Sequence, residues 1–156
     1  AFVADGRAFI EASPGAYDLI FLDAYGPDSI PYALVTKEFL LSVRKALTPR
    51  GAVASNVWSP VHNRLYDSMV RTYRDVFGGV AVVNAVGSGN RIILARPPRW
   101  NPAKKDFARE ASALSRRKSL PYDLGEIVRK GWQDLPAYPG KGEVLRDGRE
   151  PQPRGR

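Results

Sequence analysis

Apolar residues fall into short runs separated by breakers, and the runs alternate between two periods. Tyr17-Asp18-Leu19-Ile20-Phe21-Leu22 is apolar except for Asp18. A run of this kind predicts a strand buried on both faces, as in a parallel sheet covered by helices. It stops on Asp23, and Gly26 and Pro27 break the chain just beyond. Ala52–Val57 and Val80–Val86 are two further apolar runs that predict strands. Between them the period changes. Phe39, Leu40, Val43 and Leu47 share one helical face after Thr36, which suits an N-cap. Leu65, Met69, Val70, Tyr73 and Phe77 share another, closed by Gly78-Gly79.

The ends complete the pattern. Ala1–Ala4 suits the end of a strand, and Arg7–Ala12 a short helix halted by Ser13-Pro14-Gly15. Thr48-Pro49-Arg50-Gly51 reads as a turn. Gly87-Ser88-Gly89-Asn90 reads as a hairpin turn leading to a fourth strand, Arg91–Arg96, antiparallel to the third at the sheet edge. Strands alternating with helices predict a doubly wound α/β sheet with right-handed crossovers. Residues 1–98 form this core, residues 99–135 a helical extension, and residues 136–156, rich in Pro, Gly and charge, an extended and flexible basic tail.

Composition narrows the classes. The 156 residues suffice for one ordinary domain, with 44% hydrophobic and 26% charged residues. There is no cysteine, which excludes disulfides and thiolate metal sites, and His62 alone cannot build a multi-histidine site. No metal is expected. No apolar run reaches the roughly 18–20 residues a membrane span needs. The first residues lack the basic start and apolar stretch of a signal peptide, so a cytoplasmic location is expected. The net charge of +8 is spread along the chain, with Arg116-Arg117-Lys118 as its tight cluster. Dispersed charge of this kind reads as a solvated face and not as a nucleic-acid footprint.

Asp23 carries the candidate chemistry. Ligands of open α/β sheets bind outside the carboxyl ends of the strands, where Asp23 falls. An Asp there also caps loops and helices, and the residue pattern alone leaves both roles open.

Three motifs in fixed order go further: Asp5-Gly6 before a helix, Tyr17-Asp18-Leu19-Ile20-Phe21-Leu22-Asp23, and Thr36-Lys37-Glu38-Phe39. Together they resemble the spermidine synthase family of polyamine aminopropyltransferases. Ser29-Ile30-Pro31-Tyr32 and Ala54-Ser55-Asn56-Val57-Trp58 look most like its bacterial spermidine-synthase-like branch. The likeness spans Phe2–Arg96, with a further trace at Val144-Leu145-Arg146-Asp147.

The resemblance implies an S-adenosylmethionine-dependent methyltransferase-like (Rossmann-like) fold, mostly parallel with a C-terminal antiparallel hairpin. It implies transfer of an aminopropyl group from decarboxylated S-adenosylmethionine to a diamine such as putrescine, in polyamine biosynthesis. Asp23 would take the proton of the attacking amine. Asp5 would accept from the adenine amine, with Gly6 allowing close approach and Ala24 alongside the cofactor. Tyr25 and Asp28 would contact the polyamine.

Two departures stand out. Gly26 occupies the place of the family's second carboxylate. The family's glycine-rich cofactor loop and ribose-gripping acidic residue precede the Asp-Gly motif and have no counterpart here. The chain is therefore expected to lack the N-terminal strands. Two other readings keep the same residues. One is a methyltransferase using S-adenosylmethionine itself. The other is an inactive fragment serving as a binding module, a homodimer completing the sheet.

Overall fold

A computed structural model describes residues 3–26, 30–85, 87–97, 100, 102–135 and 142–150. The elements run α1 (Gly6–Glu11), β1 (Tyr17–Leu22), α2 (Lys37–Ala46), β2 (Leu47–Trp58), α3 (Tyr66–Phe77), β3 (Val80–Asn84), β4 (Asn90–Ala95), α4 (Lys104–Arg117) and α5 (Leu124–Gly131), with a 3-10 turn at Tyr32–Leu34. The strands form one sheet in the order β1-β2-β4-β3. β1 and β2 are parallel, and β4 is antiparallel to both of its neighbours. Three of the four described strands therefore point the same way.

Three placements differ from expectation. β4 is not an edge strand: it inserts between β2 and β3. The apolar pattern identifies both arms of the hairpin but cannot say which one pairs back onto β2. The expected Thr48–Gly51 turn lies inside β2, where the register slips between Tyr17↔Leu47 and Leu19↔Ala52. The extra residues are held against β1 by Thr48 Oγ1, which donates to Asp18 Oδ1 at 2.7 Å. The strand expected at Ala1–Ala4 is not seen at Val3-Ala4, and residues 1 and 2 lie outside the described set.

Local chemistry explains the helix boundaries. Thr36 caps α2, its Oγ1 accepting from the Phe39 amide at 3.3 Å. Gly78 ends α3 in the left-handed region, φ 79°, which a residue without Cβ adopts freely. The inner faces of α2 (Phe39, Leu40, Val43) and α3 (Met69, Val70, Tyr73, Phe77) bury against Val53, Val57, Val82 and Ile93 of the sheet. Within this layer Tyr73 hydroxyl and Ser55 Oγ hydrogen-bond each other, and burial pushes the Tyr73 phenol well above its ordinary range.

Side chains alternate across a strand, so the neighbours of these core residues point to the other face. There the expectation of a β1 buried on both sides fails. Ile20 is 6% exposed, but Leu19 is 49% and Phe21 72% exposed. α4 and α5 reach only the far side of that face, where they form a groove with Val83, Ile92 and Leu94. Among the described residues, no helix closes this face over β1, which leaves Leu19 half covered and Phe21 largely bare.

The stretch read as a tail is also more ordered than expected. Residues 142–146 have no regular secondary structure and a turn follows at Asp147-Gly148, but Leu145 is buried and the segment is hydrogen-bonded to α2 and α3. Residues 136–141 and 151–156 lie outside the described set.

Two substitutions test this packing. Leu40 is fully buried, so Leu40→Ala should cost about 2–5 kcal/mol in urea denaturation. A Cβ added at Gly125 would overlap Ser112 Oγ and the Ala108 carbonyl of α4. Gly125→Ala should therefore cost about 1–3 kcal/mol, and hydrogen exchange should show the loss concentrated in α4 and α5.

Candidate active site

The register of β1 on β2 builds the site. Phe21 pairs with Ala54 and Leu22 with Ser55, which brings Asp23, one step further, beside Asn56. Asn56 Nδ2 donates to Asp23 Oδ1 at 2.9 Å. The amide orientation follows from charge, since turning the Asn56 carbonyl toward a carboxylate would repel it. Among the described residues, no donor reaches Asp23 Oδ2. Asn56 Oδ1 is buried with no hydrogen-bond partner among the described residues, an unsatisfied acceptor beside a carboxylate.

Two more residues close this end of the sheet. Tyr25 hydroxyl donates to the Asn56 carbonyl at 2.9 Å. Its ring stacks on Trp58 at the end of β2, centroids 5.2 Å apart and planes 26° apart. Burial and, secondarily, the Asp23 charge raise the Tyr25 phenol above its ordinary value. Tyr25 is thus the neutral donor that locks the end of β2, and with it Asn56, under the Asp23 loop.

Asp23 borders two cavities. One, of about 420 Å³, is walled by Gly6, Phe9, Phe21, Asp23, Ala24 and Leu34. The other, of about 570 Å³, includes Phe21, Asp23, Ala54, Asn56, Asn90 and Ile92. Asp23 is the carboxylate in each lining, set among apolar and amide groups. A carboxylate in that setting attracts a cation and can accept its proton.

The structure brings Gly6, Asp23 and Ala24 onto one cavity. Asp5 stands at the N-cap of α1, where its Oδ1 accepts from the Ala8 amide at 2.8 Å. Space is open beside Gly6: among the described residues beyond its chain neighbours and its own helix backbone, no atom lies within 4 Å of a Cβ placed there. Tyr25 joins the cluster through Asn56 and Trp58 and does not line either cavity. Asp28 lies outside the described residues. Asn56 and Trp58, which the sequence leaves open between strand-end packing and the wall of a site, are direct partners of Asp23 and Tyr25. Their position at the end of a parallel neighbour was the available signal. His62 lies in a separate cavity of about 450 Å³ with Trp58, Tyr32 and Glu150. Among the described residues there is no group of three or more His, Asp or Glu placed to hold a metal. No helix among them is long and apolar enough to cross a membrane.

A sheet with an antiparallel strand inserted before its last parallel one, and a carboxylate at the end of β1, defines a methyltransferase-like α/β domain. Solved structures agree. A probable spermidine synthase from Corynebacterium glutamicum matches with a TM-score of 0.64 at 23% identity, covering 99% of this chain and 56% of that one. Human methyltransferase-like protein 13, solved with SAH, matches with a TM-score of 0.63 at 28% identity over 85% of this chain and 61% of that one. No protein-family model matches.

Sequence relatives specify the family. A polyamine aminopropyltransferase of Vibrio vulnificus is 40% identical over 115 residues, 71% of this chain and 38% of the relative. A probable polyamine aminopropyl transferase of Bifidobacterium longum is 30% identical over 138 residues, 86% of this chain and 30% of the relative. The chain belongs to the polyamine aminopropyltransferase (spermidine synthase) family. It spans less than half the length of these curated relatives.

The electrostatics of the cluster predict a titration. Comparing wild type with Tyr25→Phe by ultraviolet difference titration should give a Tyr25 midpoint above the ordinary phenol value of about 10. Asp23→Asn removes the negative charge that opposes ionisation, so the midpoint should fall toward, but not reach, that ordinary value.

Proposed function

We propose that this chain carries the amine-activating part of an aminopropyl-transfer site. The proposed acceptor is a diamine such as putrescine, and the proposed co-substrate is decarboxylated S-adenosylmethionine. One observation carries the reading: Asp23 follows β1 with Oδ1 held by Asn56, its other oxygen has no donor among the described residues, and it borders two cavities.

The chemistry follows from charge and lone pairs. A protonated amine binds a carboxylate but has no lone pair for attack. Asp23 holds the ammonium and accepts its proton, which frees the nitrogen pair. Asn56 fixes the carboxylate plane during this transfer. The co-substrate supplies a carbon made electrophilic by an adjacent sulfonium. The nitrogen forms a bond to that carbon, the carbon–sulfur bond breaks, and its electron pair stays on sulfur, giving a neutral thioether. No hydride or metal is needed for the balance. In this reading Gly6 and Ala24 form the wall for the nucleoside, and Asp5 keeps one oxygen for the adenine amine while the other caps α1. Asp28 is proposed as a further acceptor contact, and Tyr25 as the closure of that end.

The test is production of methylthioadenosine from decarboxylated S-adenosylmethionine and putrescine by the protein carrying this chain. Asp23→Asn should lower turnover by about 10²–10⁴-fold, as expected for loss of a positioned base. Turnover unchanged in Asp23→Asn would defeat the assignment. The human methyltransferase-like protein 13 match supports a second reading, methyl transfer from S-adenosylmethionine. Calorimetry with both nucleosides separates the two, since only S-adenosylmethionine carries a carboxylate.

A further inference from the structure

The two walls of the Gly6–Asp23 cavity come from segments far apart in sequence. Gly6 and Phe9 belong to α1, and Leu34 to the 3-10 turn. Arg7 joins them. Its Nη1 donates to the Ala33 carbonyl at 3.3 Å, and its Nε donates to Glu11 within α1 at 2.9 Å. The same guanidinium is gripped from outside by Asp147, at 2.9 Å from Nη1 to Oδ1 and 2.6 Å from Nη2 to Oδ2. A two-toothed pair of this kind fixes orientation as well as charge. The Arg7 bond also holds the Asp147 carboxyl below the usual carboxylate range.

Asp147 is itself held. The segment 142–150 crosses α3 and α2, with Glu143 N on Ser68 Oγ at 3.0 Å, Leu145 N on Thr72 Oγ1 at 2.9 Å, and Lys37 N on the Leu145 carbonyl at 2.8 Å. Leu145 is 4% exposed within the α2–α3 core. Asp147 N donates to Glu38 Oε2 at 3.0 Å. Tyr32 hydroxyl, one residue before Ala33, lies 3.0 Å from the carbonyls of both Arg146 and Arg149. The strap thus touches the 3-10 turn directly through Tyr32 and α1 through Arg7.

We propose that Arg7 and Asp147 are positioning residues: the clasp seats α1 and the 3-10 turn at a fixed separation and so sets the nucleoside-side wall of the Asp23 cavity. Neither touches the reacting atoms. The claim deepens the aminopropyl-transfer reading and rests on it for the identity of the ligand, but the mechanical coupling stands apart from any ligand. α1 has only six residues, too few to hold its place alone. Ile10 seats it on the core, and Arg7 ties that seat to the 3-10 turn.

The test uses the full chain with Asp147→Asn, Arg7→Lys and, as a remote control, Asp123→Asn at the N-cap of α5. Amide exchange and steady-state kinetics are read together. Asp147→Asn should raise exchange at least tenfold both in α1 and at Leu34 and Val35, leaving α4 and α5 unchanged. Arg7→Lys keeps the charge but loses the fork, and should act the same way. Asp123→Asn should leave α1 and the turn protected. KM for the nucleoside co-substrate should rise about fivefold or more in both clasp variants with kcat within twofold, the sign of lost ground-state positioning. Exchange confined to residues 142–150, or raised uniformly across the chain, overturns the clasp. So does an unchanged KM in a variant whose α1 has loosened. Exchange as expected in a wild type that forms no methylthioadenosine leaves the clasp standing and counts against the proposed function.

Discussion

The parallel register of β1 on β2 is the constraint on which the site depends. Leu22 opposite Ser55 brings Asp23 to Asn56. A slip of one residue would move every side chain of β1 to the opposite face. Ile20 would leave the core and Asp23 would lose its amide partner. The register is held from both sides: by the apolar demand of Ile20, Val53 and Val57, and by the Thr48–Asp18 bond that accommodates the slip at the start of β2. Packing and chemistry are thus one specification. The residues that bury α2 and α3 also aim the carboxylate.

The two faces of the sheet divide the labour. One is closed by α2 and α3 and supplies the stable core. The other bears the Asn56 cavity with Phe21 exposed beside it, while the Gly6 cavity lies along the β1 edge, where Ile20 and Phe39 of the core also line it, and Asp23 borders both. The segment 142–150 crosses only the closed side and reaches the site through Arg7 and Tyr32. Stability and site geometry are therefore linked through a few polar contacts, and the sheet itself need not move for the walls to shift.

Much of this was legible in the sequence, for physical reasons. Period-2 and period-3.6 patterns located β1, α2, β2, α3 and the hairpin because each buries one continuous apolar face. The position of Asp23 was legible because a carboxylate directly follows an apolar strand, but the residue pattern left site and capping roles both open. Non-local facts were not. Nothing in Arg91–Arg96 tells which strand it will pair with, and β4 inserted where an edge was expected. Leu19 and Phe21 look as buried as Ile20 in a one-dimensional pattern, since exposure depends on what else covers the face. Asn56 stood open between packing and site wall until the register put it on Asp23. Arg7 and Asp147, 140 positions apart, left no periodic trace, and a charged, Pro- and Gly-rich stretch concealed the buried Leu145.

The central claim is that a single strand-end carboxylate, held by Asn56, receives the amine. Carboxyl-carbon NMR with putrescine added stepwise tests it at the atom concerned. The account predicts that the Asp23 carboxyl signal shifts along a saturating curve, while the Asp18 and Asp5 signals stay within the drift produced by salt alone. A titration in which Asp23 does not move, or moves no more than Asp18 and Asp5, would contradict it.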